Sequence, residues 1–181
     1  LFGGYRRIDG FTPLEATTPE VDSTLTEGKI LGLSIYNEQI LTARKLKSGN
    51  TYNFYKWVNG AAWSAYTTGL TLSTVGLNKI RSDTFNFDGT NKVVFVDGVN
   101  GVIIYDGTTW TQPTGDQSVT APKHVCIFKS TVFVSGDPTD SNIVVYSAPN
   151  DESDWTAASG AGQINAGFVV KQIKPFRDEL Y

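Results

Sequence analysis

The sequence predicts an all-β protein built from propeller-like repeats of three- to four-stranded antiparallel sheets. Three observations carry this. Short apolar runs rich in Val, Ile, Phe and Tyr alternate with Asp-Gly and Asn-Gly turns. Helix signals are almost absent, since Thr42 to Lys47 is too short and has strand-like flanks. Trp63, Trp110 and Trp155 recur 47 and 45 residues apart, at matching places in the pattern.

Residues 1–28 are irregular, with a Gly-rich opening followed by a Thr/Pro/Glu stretch, and read as an extended arm or strap. Strand patterning starts at Lys29. Ile30, Leu31, Leu33, Ile35 and Tyr36 form an apolar segment, Asn37-Glu38 turns the chain, and Gln39 to Ala43 return. Tyr52 to Val58 is an aromatic strand that ends at Asn59-Gly60, a pair suited to a type I′ turn.

A second cycle opens near Lys79. Phe85 and Phe87 precede the Asp88-Gly89 turn, Val93-Val94-Phe95-Val96 ends at Asp97-Gly98, and Val102-Ile103-Ile104-Tyr105 ends at Asp106-Gly107. A third cycle opens at Lys123. Val125 to Phe128 is a strand, Lys129-Ser130 turns, and Val132 to Ser135 and Ile143 to Tyr146 follow. A fourth cycle opens at Val169, with Arg177-Asp178 in the turn position of Lys129-Ser130. The repeats thus span approximately 29–78, 79–122 and 123–168, with a further one starting at 169–181. Phe87, Phe128 and Phe176 are equivalent, 41 and 48 residues apart.

A period of this length with three or four strands per unit suits a propeller blade, whose two apolar faces need neighbours. Rings usually hold at least about four blades. An incomplete propeller within a longer chain or a larger assembly is therefore expected. Leu1 opening the chain and the apolar stretch around Tyr181 point the same way.

Composition narrows the function. The 181 residues carry 15 Lys and Arg against 18 Asp and Glu, a formal charge of −3, so a basic nucleic-acid-binding domain is not indicated. No apolar run approaches the roughly 18 to 20 residues of a membrane helix, and no signal peptide is visible. Cys126 is the only cysteine, so no intrachain disulfide forms. It sits in an apolar run and reads as core, and a catalytic pair with the only histidine, His124, is not expected. Zinc would need more such ligands, and no Gly-rich phosphate loop leads into a helix.

Asp88, Asp97 and Asp106, each followed by Gly, read as turn residues. Asn86-Phe87-Asp88-Gly89 lacks the later acidic ligand of a calcium loop. Asp106-Gly107-Thr108-Thr109-Trp110 only weakly resembles the Asp-box of sialidase-like propellers. Asp137, Asp140, Asp151, Glu152 and Asp154 form an acidic region in which a glycosidase pair or a cation site is conceivable, but loops beside a repeated sheet are solvated and naturally acidic, and that is the expected reading. No catalytic, cofactor-binding or metal residue is assigned. The partner-contact candidates are Tyr5, Arg6, Arg7, Phe11, Tyr52 and Tyr55, because aromatics and arginine anchor interfaces. Phe54 and Trp57 belong to the same aromatic strand.

Three stretches carry a family resemblance. Gly3-Gly4-Tyr5-Arg6-Arg7-Ile8-Asp9-Gly10-Phe11 is similar to the N-terminal strap of tailed-bacteriophage structural proteins. Phe128 to Gly136, with Val145-Tyr146-Ser147-Ala148-Pro149 and Asp154-Trp155-Thr156, resembles their repeated blade. Ile173 to Leu180 resembles the opening of the next blade. The resemblance implies a tail hub, adaptor or nozzle component, located in the virion and assembled in the host cytoplasm. Its implied partners are other tail subunits, in a homo- or hetero-oligomeric ring close to DNA, without sequence-specific binding or a membrane span. It implies no catalytic residues and no cofactor. The alternatives are a carbohydrate- or receptor-binding propeller and, further off, a glycosidase on the acidic loops.

Overall fold

A computed structural model describes residues 28–46, 52–58, 63–73, 75–77 and 79–181. The expected arm, with Tyr5, Arg6, Arg7 and Phe11, lies outside the described residues, as does the Asn59-Gly60 turn.

The described chain is all-β apart from one short 3-10 turn, Ala157–Ser159. Its first sheet contains β1 (Gly28–Tyr36), β2 (Gln39–Leu46), β3 (Tyr52–Val58) and β4 (Ser64–Tyr66), paired in chain order. The second contains β5 (Arg81–Phe87), β6 (Thr90–Val96), β7 (Ile103–Tyr105) and β8 (Trp110–Thr111), in the same order. The third contains β9 (His124–Phe128), β10 (Thr131–Ser135), β11 (Ile143–Tyr146) and β12 (Gly162–Asn165). A last hairpin joins β13 (Pro175–Phe176) to β14 (Glu179–Leu180). Every pairing is antiparallel, and each four-stranded sheet is a meander that remains open.

A two-residue turn joins the first two strands of every sheet. Tyr36 pairs with Gln39, Phe87 with Thr90, Phe128 with Thr131 and Phe176 with Glu179. Asn37, Glu38, Asp88, Gly89, Lys129 and Ser130 all take positive φ, as a type I′ turn demands of both central residues. In the last hairpin Arg177 does so at φ 56°. The aromatic ahead of each turn is repeated because it closes the same hairpin in each sheet.

The sheets stack face to face. One face of the first presents Leu31, Leu41, Ala43, Tyr52 and Phe54, which pack on Val93, Phe95, Ile103, Tyr105 and Trp110 of the second. Alternation sends Val94, Val96 and Ile104 to the opposite face, where they meet Ile127, Val132, Val134 and Trp155. The third sheet's other face places Cys126 and Val144 against Val170 and Ile173. The recurring tryptophan therefore lies between its own sheet and the preceding one in two of these layers. Trp110 stacks on Tyr105 at 4.4 Å between centroids and lies 4.3 Å from Phe54. Each such aromatic pair is worth about 0.5–1.5 kcal/mol beyond the area it buries.

Polar bonds cross the same layers. The Tyr36 hydroxyl lies 2.8 Å from the carbonyl oxygens of both Asn91 and Asp106. The Tyr52 hydroxyl donates to Asp97 Oδ2 at 3.0 Å. The Tyr105 hydroxyl donates to that of Tyr66 at 2.6 Å.

The first strands of successive sheets lie next to one another: β1 beside β5, β5 beside β9, and β9 beside β13. At the first junction the Ile80 amide donates to the Leu31 carbonyl at 2.9 Å. A Cβ on Gly32 would come within 2.5 Å of the Ile80 carbonyl oxygen, so only glycine fits there. The register shift between Ile30 and Gly32 lies at this point of contact. At the second junction Asp83 Oδ2 accepts the Ile127 amide at 2.7 Å, and Arg81 Nη1 donates to the Lys123 carbonyl at 2.6 Å.

Gly32→Ala is expected to destabilise the protein by about 1–3 kcal/mol, because the added methyl must push β1 away from Ile80. A urea unfolding curve of the variant beside the parent checks this; superimposable curves would contradict the tight approach.

Candidate functional site

Two of the expected partner contacts fall on described residues, and both are buried: Tyr52 is 5% exposed and Tyr55 2%. Tyr52 packs between the first two sheets, where burial raises its hydroxyl pKa and the Asp97 charge raises it further. Tyr55 points to the other face of the first sheet, paired across strands with Thr42 and Ala65. Both are packing residues rather than surface contacts. The strand they share is apolar on both faces, a pattern that composition alone reads as surface or core.

The acidic residues are bound into turns. Asp106 Oδ1 accepts the amides of Thr108 and Thr109 at 2.8 and 2.7 Å. Asp151 Oδ1 likewise accepts those of Ser153 and Asp154 at 2.9 and 3.1 Å. In both turns a tryptophan follows the aspartate by four residues, Trp110 and Trp155. These aspartates fix the entry of the tryptophan, which is the physical content of the repeat. Glu152 forms an ion pair with Lys92, and its carbonyl accepts the Trp155 indole at 2.9 Å. Asp154 accepts the Thr156 amide. Among the described residues no group of three or more His, Cys, Asp or Glu side chains is placed to hold a metal ion.

Asp137 borders a cleft of about 220 Å³ with Asp116 and Asp140 on its rim. Its own oxygens are occupied: Oδ1 by the amide and hydroxyl of Thr139, Oδ2 by the Thr120 hydroxyl and the Ala121 amide. Burial pushes the Asp137 carboxyl up, but these hydrogen bonds together outweigh it and hold it below the ordinary carboxylate range. Asp137 is therefore a fixed anion that clamps segment 120–121 to the loop after β10. In the same cleft the buried Ser135 hydroxyl has no hydrogen-bond partner.

His124 and Cys126 are alternate residues of β9 and share a face. Burial pushes the Cys126 thiol up to about 12, with Asp83 adding to the shift and Lys174 opposing it. A thiolate is thus disfavoured at neutral pH, which argues against a nucleophilic role.

A second cleft lies where the first strands of the cycles converge. This groove of about 260 Å³ is lined by Leu33 of β1, by 79–82, by His124 and Val125, and by 172–174. Lys79, Arg81 and Lys174 line it, and Lys123 and Lys171 bring their charges to bear on His124. Burial first, then the charges of Arg81, Lys123, Lys171 and Lys79, hold the His124 imidazole below its usual value. Among the described residues none of these five cations has a carboxylate within ion-pair distance. Asp83 is the acidic side chain on the same segments, and it is bonded to the Ile127 amide. The sequence carried part of the signal, because Lys29, Lys79 and Lys123 open successive cycles 50 and 44 residues apart and Lys171 stands just after the opening of the fourth at Val169. Only the packing of the first strands brings such residues together.

Compared with known proteins, the chain matches no family model, no curated protein and no solved structure.

Asp137 has a depressed pKa in the folded state, so the stability it contributes is present above about pH 3.9 and is lost as pH falls through the folded value. Asp137→Asn should therefore flatten the acid limb of a stability–pH profile; an unchanged limb would contradict the clamp. His124 has the opposite charge type but again a lowered value. Its protonation costs the folded state more than the unfolded one, so stability is lost as pH falls from about 6.5. His124→Gln should remove that step while leaving the acid limb in place.

Proposed function

We propose that this chain is a non-enzymatic structural protein of a virion, a component of a bacteriophage tail or neck that assembles around the DNA exit path. The observation that carries the proposal is the stack of like sheets, each covering an apolar face of the next, with apolar side chains exposed at both ends. Ile35 of β1 is 75% exposed at one end, and Phe176 of the last hairpin 60% at the other. Apolar groups at the two ends of a repeating stack suit continuation by further units of the same kind.

In this reading the sheets are propeller blades, with β1, β5, β9 and β13 innermost and the chain forming an arc of a ring. Neighbouring blades, from the same polypeptide or from other tail subunits, complete it. The virion is then its location, after assembly in the host cytoplasm. The turn-bound acids also support a role in architecture, because their hydrogen bonds are spent on holding loops. A sugar-binding reading would need exposed aromatic rings in a cleft; Tyr52, Tyr55, Trp57, Trp110 and Trp155 are buried, and the half-buried Tyr66 in the cleft beside Tyr52 has its ring packed on Tyr105 and Trp110.

The test is the mass of the native particle, measured beside the intact mass of the polypeptide. The expected result is a ring or larger particle that Ile35→Asp or Phe176→Asp dissociates into folded subunits with a lowered unfolding midpoint. A stable 19.7 kDa monomer at all concentrations would overturn the reading.

A further inference from the structure

The groove beside His124 concentrates positive charge in a chain whose net charge is −3. Segments 79–83, 123–124 and 171–174 together supply the cations Lys79, Arg81, Lys123, Lys171 and Lys174, against Asp83 alone. Lys79, Lys123, Lys171 and Lys174 are exposed, and like charges held this close repel one another. The apolar lining of the groove is Leu33, Ile80 and Ile173; the Lys123 stem lies over Gly98 and Arg81 bonds the Lys123 carbonyl, so these two cations also serve packing. A ligand that brings negative charge would relieve that repulsion.

We propose that this groove binds the phosphodiester backbone of nucleic acid without reading its sequence. Lysines on flexible stems neutralise phosphates as point charges, and the counterions released supply the affinity. No Phe, Tyr or Trp side chain lines the groove, whose one ring is the half-buried His124 imidazole, so it offers little stacking platform for bases and the contact stays with the backbone. An acidic peptide fits less well. Adding such a strand would need free amides on the inner edges, yet the Ile80 amide is bonded to Leu31 and that of Ile127 to Asp83. The inference deepens the tail-component reading, on which it rests only for the identity of the nucleic acid as DNA.

The probe is a fluorescently labelled, mixed-sequence single-stranded DNA, titrated with the full chain over a series of salt concentrations. A duplex and poly-glutamate serve as competitors. The parent should bind at low salt with no preference among sequences. Lys79→Gln/Lys171→Gln/Lys174→Gln should weaken binding by about tenfold and reduce the slope of log affinity against log salt by about 2, the equivalent of three phosphate contacts. Lys129→Gln, at the far end of the β9–β10 hairpin, should change neither.

Equal binding by the triple variant would overturn the proposal, as would no binding by the parent. Tighter binding of poly-glutamate than of DNA would also overturn it, in favour of an acidic protein partner. Should the triple variant fail to fold, the parent decides, since a salt slope shallower than about −2 cannot hold three phosphates. Loss of DNA binding with the particle mass intact would sink this inference alone, whereas a monomer that still binds DNA would sink only the assembly reading.

Discussion

A four-stranded sheet has two faces, and the sheets of this chain are apolar on both. That constraint governs the rest of the structure. In the second sheet, Val93 and Phe95 point one way and Val94 and Val96 the other, and all four are buried. Neither face can be left to water without losing about 25 cal/mol for each Å² exposed, so the sheet needs a neighbour on each side. The first and third sheets supply them. Those sheets then have outer faces of their own, and the requirement passes outward along the stack. The inter-sheet tyrosines refine this arrangement: Tyr36 and Tyr52 set the rotation of one layer against the next by the few acceptors their hydroxyls can reach.

The turns show how much of this was legible in the sequence. Asn37-Glu38, Asp88-Gly89, Lys129-Ser130 and Arg177-Asp178 were each readable as turns from the apolar runs beside them, and the structure places a two-residue turn at every one. The longer strands followed from the same alternation. The outermost strands were harder, because two to four residues such as Trp110–Thr111 are too few to establish a period. The shift between Ile30 and Gly32 was also hidden. It answers to the Ile80 carbonyl, fifty residues away in the chain, and nothing local announces it.

The site residues divide along similar lines. Tyr52 and Tyr55 sit in a strand with aromatics on both faces, so sequence could not say whether they were surface or core. The acidic loop residues were recognisable as turn-formers, since an aspartate with small hydroxylated residues two or three positions on is a local signal. The basic groove is the reverse case. Lys79, Lys123 and Lys171 stand at or just after the starts of cycles in plain view, yet a charge at the start of a strand is ordinarily a solvated edge. Their convergence depends on the first strands of successive sheets lying side by side, a property of the packing.

The uneven lengths of the strands have a consequence for how copies of this protein meet. The first strands β1, β5 and β9 run nine, seven and five residues, whereas the last strands β4, β8 and β12 run three, two and four. An exposed sheet edge is a template on which any other strand can zip up, and its danger grows with its length. Here the first strands lie against those of the neighbouring sheet, and the last strands are too brief to sustain a ladder. The strand edges therefore offer little for fibril growth, and any contact made on the sheet faces would be decided by side-chain shape rather than backbone pairing.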